Sequence, residues 1–120
     1  MRNYINPIMQ QLEKFIELDK FSEDLTVFYP GLSNMELKVK LTDLINLSAR
    51  DFMDVLSGMP TDEKFRNTIK KGLNRIDSYE FTIDSEDQDK ICSYYEELMD
   101  IVGLGDSGGH LNKWRYDLDL

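Results

Sequence analysis

The sequence predicts a mainly α fold: a bundle of about five helices, with two or three short strands available for a small sheet. Three observations carry this. Apolar residues recur at three- and four-residue spacing through most of the chain. Capping residues and glycine or proline stops bracket those stretches. Between them lie a few short runs with β-prone or alternating character. The chain has 120 residues, 41% of them apolar and 31% charged, which suits one globular domain able to bury a core without staples.

The first helix is signalled by Asn6 as N-cap and Pro7 at the first helical position, followed by Ile8, Met9, Leu12, Phe15 and Ile16, and it ends near Lys20. Leu25 to Tyr29 is short and β-prone, stopped by Pro30-Gly31. Ser33 to Glu36 reads as a capping box. Leu37, Leu41, Leu44, Ile45 and Ser48 follow on one face, and a separate short helix carries Phe52, Val55 and Leu56 to Gly58 and Pro60. Thr61 caps a helix with core face Phe65, Ile69, Leu73 and Ile76 and basic outer residues Lys64, Arg66, Lys70, Lys71 and Arg75.

Tyr79, Phe81 and Ile83 alternate with polar residues in the manner of a half-buried strand. Asp84-Ser85 opens the clearest helix, with the stripe Ile91, Tyr94, Tyr95, Leu98, Ile101 and Val102 and a left-handed stop at Gly103. Residues 104–120 read as a glycine-rich loop and an extended tail packed on the helices, with Trp114, Tyr116, Leu118 and Leu120 alternating and Trp114 as a buried anchor. The whole chain, 1–120, is expected to form a single helical domain.

Charge is distributed unevenly. Between Asp77 and Asp106 stand ten acids and one base, Lys90, which equals the net charge of −9; the remaining residues balance. Such a field steers cationic partners and repels nucleic acid. The basic helix is therefore expected to complement the acidic one inside the molecule, each exposed pair contributing a few tenths of a kcal/mol. A single cysteine, Cys92, rules out an internal disulfide and reads as an inert thiol. The N-terminal residues hold no signal-like apolar run, and no apolar stretch approaches membrane-spanning length. A cytoplasmic setting without membrane contact is expected.

Motifs that resemble chemistry fail on their spacing. Counted from Asp84, an EF-hand loop needs glycine sixth and glutamate twelfth, where Asp89 and Tyr95 stand. Zinc or iron sites need several His or Cys ligands, and the chain has one of each. No metal or cofactor is expected. Gly105 to Gly109 resembles the nucleophile loop of chymotrypsin-like proteases, but His110, the sole histidine, follows Ser107 by three residues on a helical chain. A flexible turn is the simpler reading. Asn46-Leu47-Ser48 matches a glycosylation sequon inside an expected helix and is discounted.

The run Ile91-Cys92-Ser93-Tyr94-Tyr95-Glu96-Glu97-Leu98, closing on Gly109-His110-Leu111-Asn112-Lys113-Trp114, resembles a family of small bacterial proteins of unknown function. The resemblance covers about a third of the chain. It implies a small bacterial domain and supplies no reaction or catalytic residue.

The function expected from these features is non-enzymatic protein binding, with a basic protein as partner, as in immunity proteins that neutralise basic toxins. The candidate surface is Glu86, Asp89, Glu96, Glu97 and Asp100 on the outer side of the acidic helix. Two alternatives stand beside it. One is a self-associating structural domain; the other is an enzyme or small-ligand binder centred on Ser107, His110 and Trp114.

Overall fold

The computed structural model describes the backbone of residues 2–79 and 83–117, and side chains from Pro7 onward within those ranges. Five α-helices follow one another: α1 (Arg2–Glu17), α2 (Met35–Ser57), α3 (Asp62–Asp77), α4 (Ser85–Val102) and α5 (His110–Tyr116). Helices α1, α3 and α4 all pack on α2, α1 also packs directly on α4, and α5 touches both α3 and α4. No helix among the described residues is long and apolar enough to cross a membrane.

The caps follow local chemistry. The side chains of Asn34, Thr61 and Asp84 accept the backbone N–H of Leu37, Lys64 and Asp87 respectively, each satisfying a donor the helix leaves free. Gly103, at φ 76°, closes α4 in the left-handed conformation. The anticipated core faces are buried: Phe65, Ile69, Leu73 and Ile76 from α3, and Ile91, Tyr94, Tyr95 and Leu98 from α4.

Several expectations are corrected. No strand or sheet exists among the described residues. Leu25–Val27 forms a short 3-10 turn, because the Asp24 carboxylate accepts the Thr26 N–H and Phe28 turns left-handed, leaving one isolated bridge between Asp24 and Tyr29. In the second expected strand, residues 80–82 lie outside the described residues. The tail is helical rather than extended through Tyr116, since Leu111 and Trp114 use an i, i+3 spacing to face the core. Leu118 and Leu120 lie outside the described residues.

Helix α1 begins at Arg2, which makes Pro7 internal and Asn6 no cap. The cap of α2 is Asn34, not Ser33, and the two helices expected over residues 35–57 are one. Leu41, Leu44, Ile45, Ser48, Ala49, Phe52 and Leu56 are all buried along it, so the apolar seam never breaks.

Among the described residues no ion pair joins the basic face of α3 to the acids of α4. Arg75 pairs with Asp51 of α2 at 2.7 Å, and Arg66 pairs with Asp106 of the α4–α5 loop at 3.3 Å. The acids of α4 face other bases: Asp89 pairs with Arg115 of α5. Helix α5, which contacts both neighbours, supplies the physical reason.

Trp114 is half-buried against the core, and its indole N–H donates to Asp77 at 2.8 Å. It pins α5 to α3 with less buried surface than a core tryptophan. Trp114→Ala is therefore expected to cost about 1–3 kcal/mol, below the 3–5 of a fully buried aromatic. Urea denaturation measures it, and an unchanged midpoint would show that α5 is held without this contact.

Candidate functional site

Between α1 and α2 the chain makes a structured loop whose inner side is fastened to α4. The Phe21 N–H donates to the Tyr94 hydroxyl at 2.8 Å, and the Phe21 ring meets Tyr94 edge-on at a centroid distance of 5.1 Å. The Tyr29 hydroxyl donates to Asp87 at 2.6 Å. Burial raises the Asp87 carboxyl above the ordinary range. The Tyr29 phenol is likewise raised, first by burial and then by the Asp87 bond.

The outer side of this loop is apolar and unprotected. Leu25, Val27 and Phe28 are 73%, 62% and 89% exposed. Phe28 also holds φ 56° and ψ 34°, a left-handed conformation that is an outlier for a bulky side chain. Paired main-chain bonds of 2.9 Å between Asp24 and Tyr29 clamp the turn in that shape. Three neighbouring apolar side chains, one on a strained backbone, form a projecting knuckle of the kind that marks contact surfaces.

A groove of about 400 Å³ is lined on the knuckle side by Val27, Phe28 and Tyr29 and otherwise by Asp24, Glu86, Asp89, Lys90, Ser93 and Glu97. Helical spacing explains the acids. Positions 86, 89, 93, 96, 97 and 100 fall on one side of α4, opposite Ile91, Tyr95 and Leu98. Glu86, Asp89, Glu96, Glu97 and Asp100 are all exposed. Not all are free: Asp89 pairs with Arg115, and Lys90 pairs with Asp24 at 3.5 Å. Hydrogen bonds from Thr26 hold the Asp24 carboxyl below its ordinary range.

Tyr94 and Tyr95 of α4 are buried and bring no aromatic anchor to this surface. Phe28 of the knuckle supplies one. Sequence reasoning missed Phe28, although a β-prone run beginning after Asp24 and ending at a proline-glycine pair was a visible signal of a tight turn.

The third candidate group separates. Ser107 is buried, and its Oγ accepts the Leu111 N–H at 3.2 Å, tying the glycine-rich loop to α5. The Asp106 carboxylate accepts the Gly108 N–H at 2.8 Å. The loop is thus held at both ends rather than loose, and Ser107 is committed to the backbone. His110 and Trp114 lie in a different place, along a cleft between α3 and α5. Cys92 is half-buried, and burial followed by Glu96 and Asp89 pushes its thiol up to about 11. It is a poor nucleophile at neutral pH. Among the described residues no three metal-ligating side chains converge.

A family profile described as "Domain of unknown function (DUF4844)" matches residues 4–119. The chain belongs to the DUF4844 family. No curated protein matches it. Its fold is similar to that of a solved structure, a DUF3571 family protein from Acinetobacter baumannii AYE determined at 1.95 Å. The two share 32% sequence identity, with 96% of this chain and 93% of that one covered, at a TM-score of 0.87. Membership in DUF4844 agrees with the resemblance carried by the α4 and α5 residues. Neither family description assigns a reaction, so the function of this DUF4844 protein rests on its own geometry.

Proposed function

We propose that this protein is a non-enzymatic binding domain that docks a basic segment of another protein. The observation that carries the reading is the apolar knuckle Leu25, Val27 and Phe28 standing against the acidic groove of α4. Aromatic projections supply desolvated anchoring at interfaces, and charge around them supplies steering and register. The partner chemistry follows: Lys or Arg side chains over Glu86 and Glu97, with an apolar socket for Phe28. Self-association through this face is disfavoured, because a two-fold contact would set the same acids against each other.

The test uses a synthetic basic helical peptide carrying leucine or methionine among its lysines. The parent protein should bind it, and association should slow as salt rises from 50 to 500 mM, roughly tenfold or more. Replacing Glu86, Glu96 and Asp100 with Gln, Gln and Asn should reduce the on-rate. Glu97 is left in place because its charge acts on the buried Lys20. Phe28→Ser should accelerate dissociation without changing the salt dependence. If Phe28→Ser binds as tightly as the parent, only bulk charge is at work and the docking reading fails.

A further inference from the structure

A second concavity, sharing no residue with the docking groove, lies where α5 crosses α3. It encloses about 550 Å³, within the usual range for small-molecule sites. One hydrogen bond and one charge interaction relate the two helices along it. The Trp114 indole is bonded to Asp77 near the end of α3, and His110, at the start of α5, lies within electrostatic reach of Lys70, one to two turns earlier on α3. The two helices therefore pair Lys70 with His110 at one end of the cleft and Asp77 with Trp114 at the other.

Lys70 and Lys113, both lining the cleft, act on His110 from α3 and α5, and among the described residues neither lysine has an ion-pair partner within 4.0 Å. Burial, then Lys70 and Lys113, hold the His110 imidazole below its ordinary value, so the cluster is short of negative charge. Of the acids lining the cleft, Asp77 is already engaged by the indole and Asp117 closes the C-terminal end of α5. Leu73 and the Trp114 ring add apolar wall, and the Asn74 and Gln88 amides add hydrogen-bonding groups. An ion with charge at both ends would meet the carboxylates. An anion with its charge at one end and a flat apolar body at the other would not.

We infer that the α3–α5 cleft binds a small organic anion, its charged group held by Lys70, His110 and Lys113 and its ring lying against Trp114 and Leu73. The site is independent of the docking surface, and either can fail without the other.

The chain carries its own reporters, since His110 is its one histidine and Trp114 its one tryptophan. Phenyl phosphate is the probe, with inorganic phosphate and benzyl alcohol as anion-only and ring-only arms. Phenyl phosphate should change Trp114 fluorescence saturably and raise the pH at which the His110 ring resonances titrate. The groups facing that ring are Lys70 from α3 and Lys113 from α5, with Asp77, Asp117 and the neutral Gln88 on the remaining wall. Phosphate alone should bind at least tenfold more weakly, and benzyl alcohol should leave His110 unmoved. A Lys70→Gln, Lys113→Gln double variant, with both residues on exposed positions, should fold as the parent does and lose at least tenfold in affinity. Absence of saturation at millimolar phenyl phosphate, or equal binding by the double variant, would overturn the inference.

Discussion

Gly72→Ala is expected to destabilise the fold by about 3 kcal/mol, although alanine is the better helix former by roughly 1 kcal/mol. Gly72 is buried in the middle of α3, where α2 and α4 converge on it. The Tyr95 hydroxyl and the Ser48 hydroxyl share a hydrogen bond of 2.7 Å directly over the glycine. A β-carbon there would stand 2.2 Å from the Tyr95 oxygen and 2.3 Å from the Ser48 oxygen. Tyr95 is fully buried and cannot swing aside without disturbing its neighbours. The substitution must therefore part the hydroxyls and leave one or both unpaired in the core, which costs about 1–3 kcal/mol in addition to the overpacking. Urea denaturation gives the sign directly. In a Tyr95→Phe background the nearest oxygen is gone and the Ser48 hydroxyl can rotate, so Gly72→Ala should cost less there than in the parent. A Gly72→Ala protein more stable than the parent would mean that the three helices meet less closely than described.

Gly72 also shows what was legible in the sequence. A glycine inside a strongly periodic helix costs about 1 kcal/mol against alanine, so Gly72, between Lys71 and Leu73, points to a packing reason. Its partners were not readable, because Ser48 and Tyr95 lie in other helices and only the packing brings them together. Local chemistry read well. Thr61, Asp84 and Gly103 mark true ends, since each acts on backbone groups within a few residues. The faces of α3 and α4 read well for the same reason: period alone defines them.

The errors came where local pattern and tertiary context disagree. Trp114, Tyr116, Leu118 and Leu120 alternate as a strand would, yet Leu111 and Trp114 also satisfy a helical spacing, and the packing of α5 on α3 and α4 decides between them. Leu25 to Tyr29 has strand-forming side chains, but the Asp24 carboxylate offers the backbone a tight turn with a nearer partner. Of the candidate surface residues, the acids of α4 were readable from helical angle. The exposure of Phe28 was not, since it depends on Asp24 clamping Tyr29 from across the turn.

The buried Lys20 should make the protein more stable as pH rises from 7 to 9. Lys20 is 1% exposed, directly after α1. Its ammonium donates to the carbonyls of Phe15 and Leu18 at the end of α1, the former also accepting the Leu18 N–H, and lies 4.3 Å from the centroid of the Phe15 ring. Burial lowers its pKa from 10.5 to about 8, with Glu97 and Asp19 opposing the shift. A lysine whose folded pKa lies below its unfolded value is a penalty on the folded state while both forms are protonated. The penalty is full below pH 8 and disappears as pH climbs toward 10.5, where the unfolded chain holds more protons than the native one. The whole shift corresponds to about 3 kcal/mol, of which roughly 1 kcal/mol is recovered between pH 7 and 9. Higher pH reverses the trend. The Cys92 thiol, raised from 9 to about 11, and the Tyr94 and Tyr95 phenols, raised from 10 to about 12, all ionise first in the unfolded chain. Their stabilising contribution falls away above pH 9 and 10 respectively; the lowered His110 imidazole adds to the rise only near pH 7, so the rise toward pH 9 belongs to Lys20. Urea midpoints from pH 7 to 9 should increase for the parent and stay flat or decline for Lys20→Met. A parent without the increase, or a Lys20→Met protein that retains it, would show that the amine is hydrated in the folded protein and stays charged through this range.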